Sequence, residues 1–230
     1  MKISILQSNY IPWKGYFDII KSSDKFIIYD IAQFTKNDWR NRNKIKTTNG
    51  IQWLTIPVKG HISETIYQTK VANKNWANKH WKTIKLNYLK TKYFHYYEKS
   101  LEDIFQEASE KEYLSEINCI FIKFINNILD IKTEIIHSSD IEIDTNQNPS
   151  KKLLSICKLH NASHYISGPS AKDYLDIAIF KKNSIDTVWM DYSNYPEYNQ
   201  LHGAFNKNVS VLDLILNQGP SAKDFLKTVL

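Results

Sequence analysis

The stretches Ile3-Ser4-Ile5-Leu6-Gln7-Ser8-Asn9 and Lys25-Phe26-Ile27-Ile28-Tyr29-Asp30 decide the fold. Each opens with a short apolar run of strand type and then turns polar, at Gln7 and at Asp30. Between them Pro12 precedes apolar positions Trp13, Phe17 and Ile20, spaced for one face of a helix. Strand, polar loop, helix and strand form the first unit of a parallel α/β sheet. Ligand-binding groups in such sheets collect beyond the carboxyl ends of the strands. Gln7, Asn9, Asp30 and Gln33 all fall at that predicted edge.

Further along, Asn49-Gly50 is a turn signal between Lys44 to Thr47 and the strand-like Gln52 to Val58. Thr65 to Val71 is another strand candidate. From Lys74 the pattern becomes helical, with Ala77, His80, Trp81, Ile84 and Tyr88 on one face. Leu114, Ile117, Phe121, Phe124, Ile125 and Ile128 mark a second such face. A polar connection over 140–149 leads to a helix that Ser150 is placed to cap, then to strands at Ser163 to Ile166 and Thr187 to Met190. Neither flank holds enough strands for a sheet alone. The expectation is an α/β, Rossmann-like, mostly parallel sheet with a helical insertion, residues 1–73 and 140–230 forming the core and 74–139 the insertion.

Thirty basic and 24 acidic residues give a net charge of +6, which favours anionic partners. The excess is spread along the chain and interrupted by acidic residues, so a nucleic-acid surface is not expected. The basic-aromatic run Lys90 to Lys99 reads as a helix end packed on the core. Cys119 and Cys157, the two cysteines, lie in apolar helical patterns and read as structural thiols of a reducing compartment. Without a signal-peptide core or a membrane-length apolar window, a cytoplasmic protein with no membrane insertion is expected.

One octapeptide recurs: Gly168-Pro169-Ser170-Ala171-Lys172-Asp173-Tyr174-Leu175 returns as Gly219-Pro220-Ser221-Ala222-Lys223-Asp224-Phe225-Leu226. Two copies are too few for a solenoid. Ser followed by Asp three residues later resembles a capping box. Only the first copy follows a predicted strand, so Ser167, Gly168 and Lys172 are candidates to hold a phosphate or carboxylate at a helix start.

Taken together, Gln7 to Phe17, Tyr29 to Phe34, Asn41-Arg42-Asn43 and Gln52 to Val58 resemble the WbqC-like family. Lys79-His80-Trp81, Tyr93-Phe94, Ser167-Gly168-Pro169, Tyr198-Asn199-Gln200 and Ser210 to Asp213 continue the resemblance over nearly the whole chain. It implies a place among bacterial genes for O-antigen and other surface polysaccharides, and a role in acylating the amine of an amino sugar. Two positions depart from the family pattern: a Gln-Pro is here Gln7-Ser8, and a paired Asp-Asp is here Asp30-Ile31.

Several residues carry two readings. Asp30 either binds an amine or sugar hydroxyl or caps the following turn. The amides of Gln7 and Gln33 suit a sugar or an acyl carbonyl, or the loop backbone. Arg42, one of very few arginines in a Lys-rich chain, offers a planar fork to a phosphate. His80 is placed where burial can tune a general base near neutrality, or where a core histidine sits. Trp13, Trp39 and Trp53 are stacking platforms or core. His61 and His202 have no metal-site spacing, and no metal centre is expected.

The leading chemistry is N-acyl transfer to a nucleotide-linked amino sugar, with His80 or Asp30 taking the amine proton. Gln7, Asn9, Trp13 and Gln33 then orient substrate, Arg42 or the Ser167-Gly168 helix start with Lys172 holds phosphates, and a CoA or acyl-carrier-protein thioester is the donor. A second reading is an ATP-dependent ligase or nucleotidyltransferase. Pro12-Trp13-Lys14-Gly15-Tyr16 resembles a HIGH-type helix start with aromatics in place of both histidines. A third is a sugar-binding or scaffold subunit without catalysis.

Overall fold

A computed structural model describes residues 1–59, 63–144 and 146–229. Five strands, β1 (Lys2–Leu6), β2 (Lys25–Ile28), β5 (Glu134–His137), β6 (His164–Ser167) and β7 (Asp186–Trp189), form one sheet. Its order is β5-β2-β1-β6-β7 and every neighbouring pair is parallel. Strands β3 (Arg42–Thr47) and β4 (Gly50–Thr55) make a separate antiparallel hairpin. Thr47 pairs with Gly50, so Thr48 and Asn49 form the two-residue loop, and Gly50 supplies a φ of 100°.

The central strands are apolar because both faces of the sheet are covered. Ile3, Ile5, Ile27 and Tyr165 face a layer that includes Leu153, Ile156 and Phe180. These come from helices α5 (Pro149–Leu159) and α6 (Ile177–Lys182). Phe26, Ile28 and Ile166 face the larger core. That core is built from α1 (Lys14–Lys21), α2 (Asn75–Tyr88), α3 (Phe94–Ser109), α4 (Leu114–Ile128) and α7 (Val211–Gln218). The fold is therefore α/β and Rossmann-like. After β1 the chain builds outward through β2 to β5, then returns to lay β6 and β7 on the other side of β1. The direction of winding reverses between β1 and β6, where such sheets open a crevice at their carboxyl ends.

Several sequence expectations change. Edge strand β5 lies inside the segment read as a helical insertion; its two apolar residues, Ile135 and Ile136, make too short a run to announce a strand. Thr65 to Val71 forms no strand, only isolated bridges at Thr65, Lys70 and Val71. Local bonds from Gln68 N–H to the Thr65 carbonyl (3.1 Å) and from Thr69 N–H to the Ile66 carbonyl (3.2 Å) curl it into turns instead. The Lys90 to Lys99 run contains the start of α3, not a helix end, and Phe94 stacks on Trp81 in the core. Asn148, not Ser150, caps α5: its side chain accepts from Lys151 N–H at 2.9 Å, with Pro149 at the first helical position.

The repeated octapeptide forms 3-10 turns at Pro169–Asp173 and Gly219–Phe225, with Gly168 and Gln218 as their N-caps, so neither Ser170 nor Ser221 closes a capping box. The two glycines differ physically. Gly219 has φ 60° and ψ −134°, and a Cβ there would lie 2.4 Å from the Tyr93 ring. Gly168 has φ −72°, and the nearest atom to a Cβ there is the Tyr192 hydroxyl at 3.9 Å. Gly219→Ala is expected to lower the unfolding free energy by about 1–3 kcal/mol. Gly168→Ala should stay within about 0.5 kcal/mol of the parent. Urea titration of both variants checks the contrast, and equal effects would remove it.

Candidate functional site

A cleft of about 960 Å³ opens where β1, β2 and β6 end. Gln7 follows β1, Tyr29 and Gln33 follow β2, and Ser167 closes β6, and all four line it. The opposite wall comes from the start of α5 (Asn148, Ser150, Lys152) and the approach to α6 (Tyr174, Asp176). Gln7, Gln33 and Ser167 are thus brought together from three strand ends. Gln33 also bridges Thr65, which joins the same wall.

The lining joins amides, hydroxyls and tyrosines to apolar side chains such as Leu6, Ile31 and Leu153. Burial pushes the Tyr29 and Tyr174 phenols above their ordinary range, so both stay protonated at neutral pH. Asp176 and Lys152 are the carboxylate and the ammonium on this wall. The Asp176 side chain also caps α6 by accepting from Ala178 N–H at 3.1 Å. Lys152 and Asp176 carry no local signal of a site, because both stand at helix starts that only the fold brings opposite Gln7.

Asp30 is not on this wall. It is buried, and its carboxylate accepts from Ser8 N–H at 2.7 Å, Ser8 O–H at 2.6 Å and the Ser115 hydroxyl. Asn118 adds bonds to Ser8 Oγ (3.0 Å) and to the Arg40 carbonyl (2.9 Å). Asp30 therefore ties the Gln7-Ser8-Asn9 loop to α4. Ser8 uses both its N–H and its O–H, and a proline at that position would offer neither.

His80 is also away from the cleft. Its Nδ1 meets the Tyr10 hydroxyl at 2.8 Å, and its ring lies among Tyr10 and Trp76. Burial lowers its pKa to about 4, against a smaller opposing effect of the Thr55 backbone. Instead of being tuned near neutrality, His80 is a neutral imidazole above about pH 5.

Asn9 and Trp13 lie on a second cleft of about 390 Å³, with Pro12, Trp39, Asn43, Lys44 and Asn208. The Trp13 indole rests on Gly15, where a Cβ would come within 2.3 Å of the ring. The start of α1 is thereby covered, at the point where a HIGH-type site holds phosphates. Arg42 stacks on Trp53 at 4.2 Å and donates to the Asn37 carbonyl. Lys172 is exposed, its ammonium 5.6 Å from the Trp189 ring, and neither it nor Gly168 lines the first cleft.

Cys119 and Cys157 are buried, and burial pushes both thiols up to about 12, which leaves them protonated. His202 Nε2 contacts the Asn87 carbonyl at 2.7 Å. His61 lies outside the described residues. Among the described residues no three His, Cys, Asp or Glu gather as a metal site, and no helix is long and apolar enough to cross a membrane.

The model of the WbqC-like protein family matches residues 7–225. A relative from Mycobacterium tuberculosis, named as the uncharacterized protein Rv1507c, is 42% identical over 228 residues, spanning 98% of this chain and 97% of its own. No solved structure matches the chain.

Proposed function

We propose that this chain, which belongs to the WbqC-like protein family, is an N-acyltransferase of bacterial surface-polysaccharide biosynthesis. Its acceptor is the amine of a nucleotide-linked amino sugar bound in the cleft beyond β1 and β6. The observation that carries this reading is the cleft itself: a large opening at the reversal point of the sheet, walled by amides, hydroxyls and phenols set among apolar side chains. A sugar offers many neutral hydrogen-bonding groups and flat C–H faces, which such a wall matches.

The amine nitrogen attacks the carbonyl of a CoA or carrier-protein thioester. A C–N bond forms, the C–S bond breaks, and the thiolate leaves. Asp176 is the carboxylate on the wall that receives the amine proton, and the thiolate takes it on release. Lys152 offers positive charge to the sugar's phosphate or to the oxyanion formed on the acyl carbon. Gln7 and Gln33 orient acceptor and acyl group. Asp30 and His80 act at a distance, by holding the Gln7 loop and the packing beneath it.

The test incubates the purified chain with UDP- and dTDP-linked amino sugars and a panel of acyl and aminoacyl thioesters, read by mass spectrometry. An amide product is expected, and Asp176→Asn, which can still cap α6, should slow its formation by about a hundredfold or more. No amide across the panel, together with no thermal shift by any nucleotide sugar, would defeat the proposal.

A further inference from the structure

We infer that the second cleft is a separate binding site for a phosphorylated nucleoside. Its walls join two indoles, Trp13 and Trp39, to the ammonium of Lys44 and the amides of Asn9, Asn43 and Asn208. Trp39 and Trp53 are 40% and 39% exposed although their rings lie 5.4 Å apart. Large indoles left this open beside a concavity are unusual for core-filling residues and suit a planar ring.

The charge of this corner points to an anion. Lys44 is the cation that lines the cleft, and the chain's two arginines, Arg40 and Arg42, stand close to it in sequence without lining the cleft. Within residues 38–44 these three cations face one carboxylate, Asp38, which pairs with Arg40 at 3.4 Å. Lys44 forms no ion pair among the described residues; its ammonium lies 4.8 Å from the Trp53 ring and 5.5 Å from the Trp39 ring. Arg42 is held over Trp53 with its Nε buried and unpartnered. No carboxylate lines the cleft.

The amides divide by role. Asn43 is consumed in holding the Tyr10 and Ile11 carbonyls at 3.0 and 2.9 Å. Asn9 accepts from Arg40 through its oxygen, leaving its NH2 without a partner among the described residues. The Asn208 side chain makes no hydrogen bond among them. Two amides are thus free to read a base edge or a ribose, and a volume of about 390 Å³ falls in the range of small-molecule sites. A neutral sugar would not require the cations, and inorganic phosphate would not require the indoles.

The site adjoins the first cleft through a single loop. Gln7 lines one cleft and Asn9 the other, and two residues of extended chain span at most about 7 Å. The inference stands on the second cleft alone and does not need the N-acyltransferase reading.

Titration of the full chain with ADP, UDP, adenosine and inorganic phosphate, followed by tryptophan fluorescence and calorimetry, tests it. At least one nucleotide should bind, with adenosine and phosphate each about tenfold weaker or more. Lys44→Met and Trp39→Leu should each weaken that nucleotide about tenfold, and Lys44→Arg should recover part of the loss. Both substituted side chains are partly exposed, and an unchanged melting temperature verifies folding. Preference for ADP assigns an adenine-bearing ligand, preference for UDP a uridine-bearing one. The site is disproved if neither nucleotide binds at millimolar concentration, or if Lys44→Met and Trp39→Leu leave binding unchanged.

Discussion

Replacing Asp30 by alanine is expected to lower the unfolding free energy by about 4 kcal/mol. Asp30 is 3% exposed, and its carboxylate accepts from Ser8 N–H, Ser8 O–H and Ser115 O–H. Alanine removes the acceptor and leaves three buried donors where water cannot replace it. Each such orphan costs about 1–3 kcal/mol, partly recovered if a hydroxyl rotates. Asp30→Asn keeps an oxygen for Ser8 N–H and offers an NH2 to the hydroxyl of Ser115, which can turn to accept. It should cost less, about 1–2 kcal/mol. Urea unfolding followed by circular dichroism gives both values. A carboxylate whose work was purely catalytic would be removed with little loss or a gain in stability, so an Asp30→Ala variant within 1 kcal/mol of the parent would return Asp30 to the chemistry.

That distinction is where the sequence could be read and where it could not. β1, β2, β6 and β7 were legible because each is a short apolar run ending in a polar break, the mark of a strand covered on both faces. Knowing the strand ends, one could name Gln7, Gln33 and Ser167, and the fold brings these three to one cleft. Edge strand β5 carries only Ile135 and Ile136 between Glu134 and His137, and a pattern of two residues has no period. Polar residues on apolar stripes were ambiguous for a different reason: their meaning is set by partners far along the chain. Tyr10 lies 70 positions from His80, and Ser115 lies 85 from Asp30. No local spacing encodes those contacts. Lys152 and Asp176 escaped for the same reason, since each looks locally like an ordinary residue at a helix start.

Lys14 supplies a second large effect, one that depends on pH. Its side chain is 3% exposed, its Nζ has no hydrogen-bond partner among the described residues, and it lies 4.0 Å from the Tyr195 ring centroid, with Tyr198 and Phe205 at 5.8 and 6.0 Å. Burial lowers its pKa to about 8; Asp18, one turn along α1, opposes the shift, while Lys227 and Lys207 add to it. A cation–π contact contributes about 0.5–2 kcal/mol, and the depressed pKa means that this and Asp18 together do not offset desolvation. Between about pH 8 and 10.5 the unfolded chain binds a proton at Lys14 that the folded chain has lost, so stability rises with pH across that window. The full swing is on the order of 3 kcal/mol. Lys14→Met keeps the length and packing of the side chain without the charge. At pH 7 it should exceed the parent by up to about 3 kcal/mol, because the depressed pKa already contains the attraction of the rings and of Asp18. As pH rises through 8 to 10.5 the parent gains and the variant does not, so the difference should shrink by about 3 kcal/mol, towards zero. Asp18, raised to about 6 chiefly by its own burial, acts in the opposite direction and in another window, from about pH 4 to 6, where folding holds its proton and stability falls as pH rises. Paired guanidinium titrations of parent and variant from pH 7 to 10.5 separate Lys14 from every group the two share. A difference that stays flat over that range would show that the Lys14 ammonium is solvated in the folded chain and that the aromatic enclosure does not desolvate it.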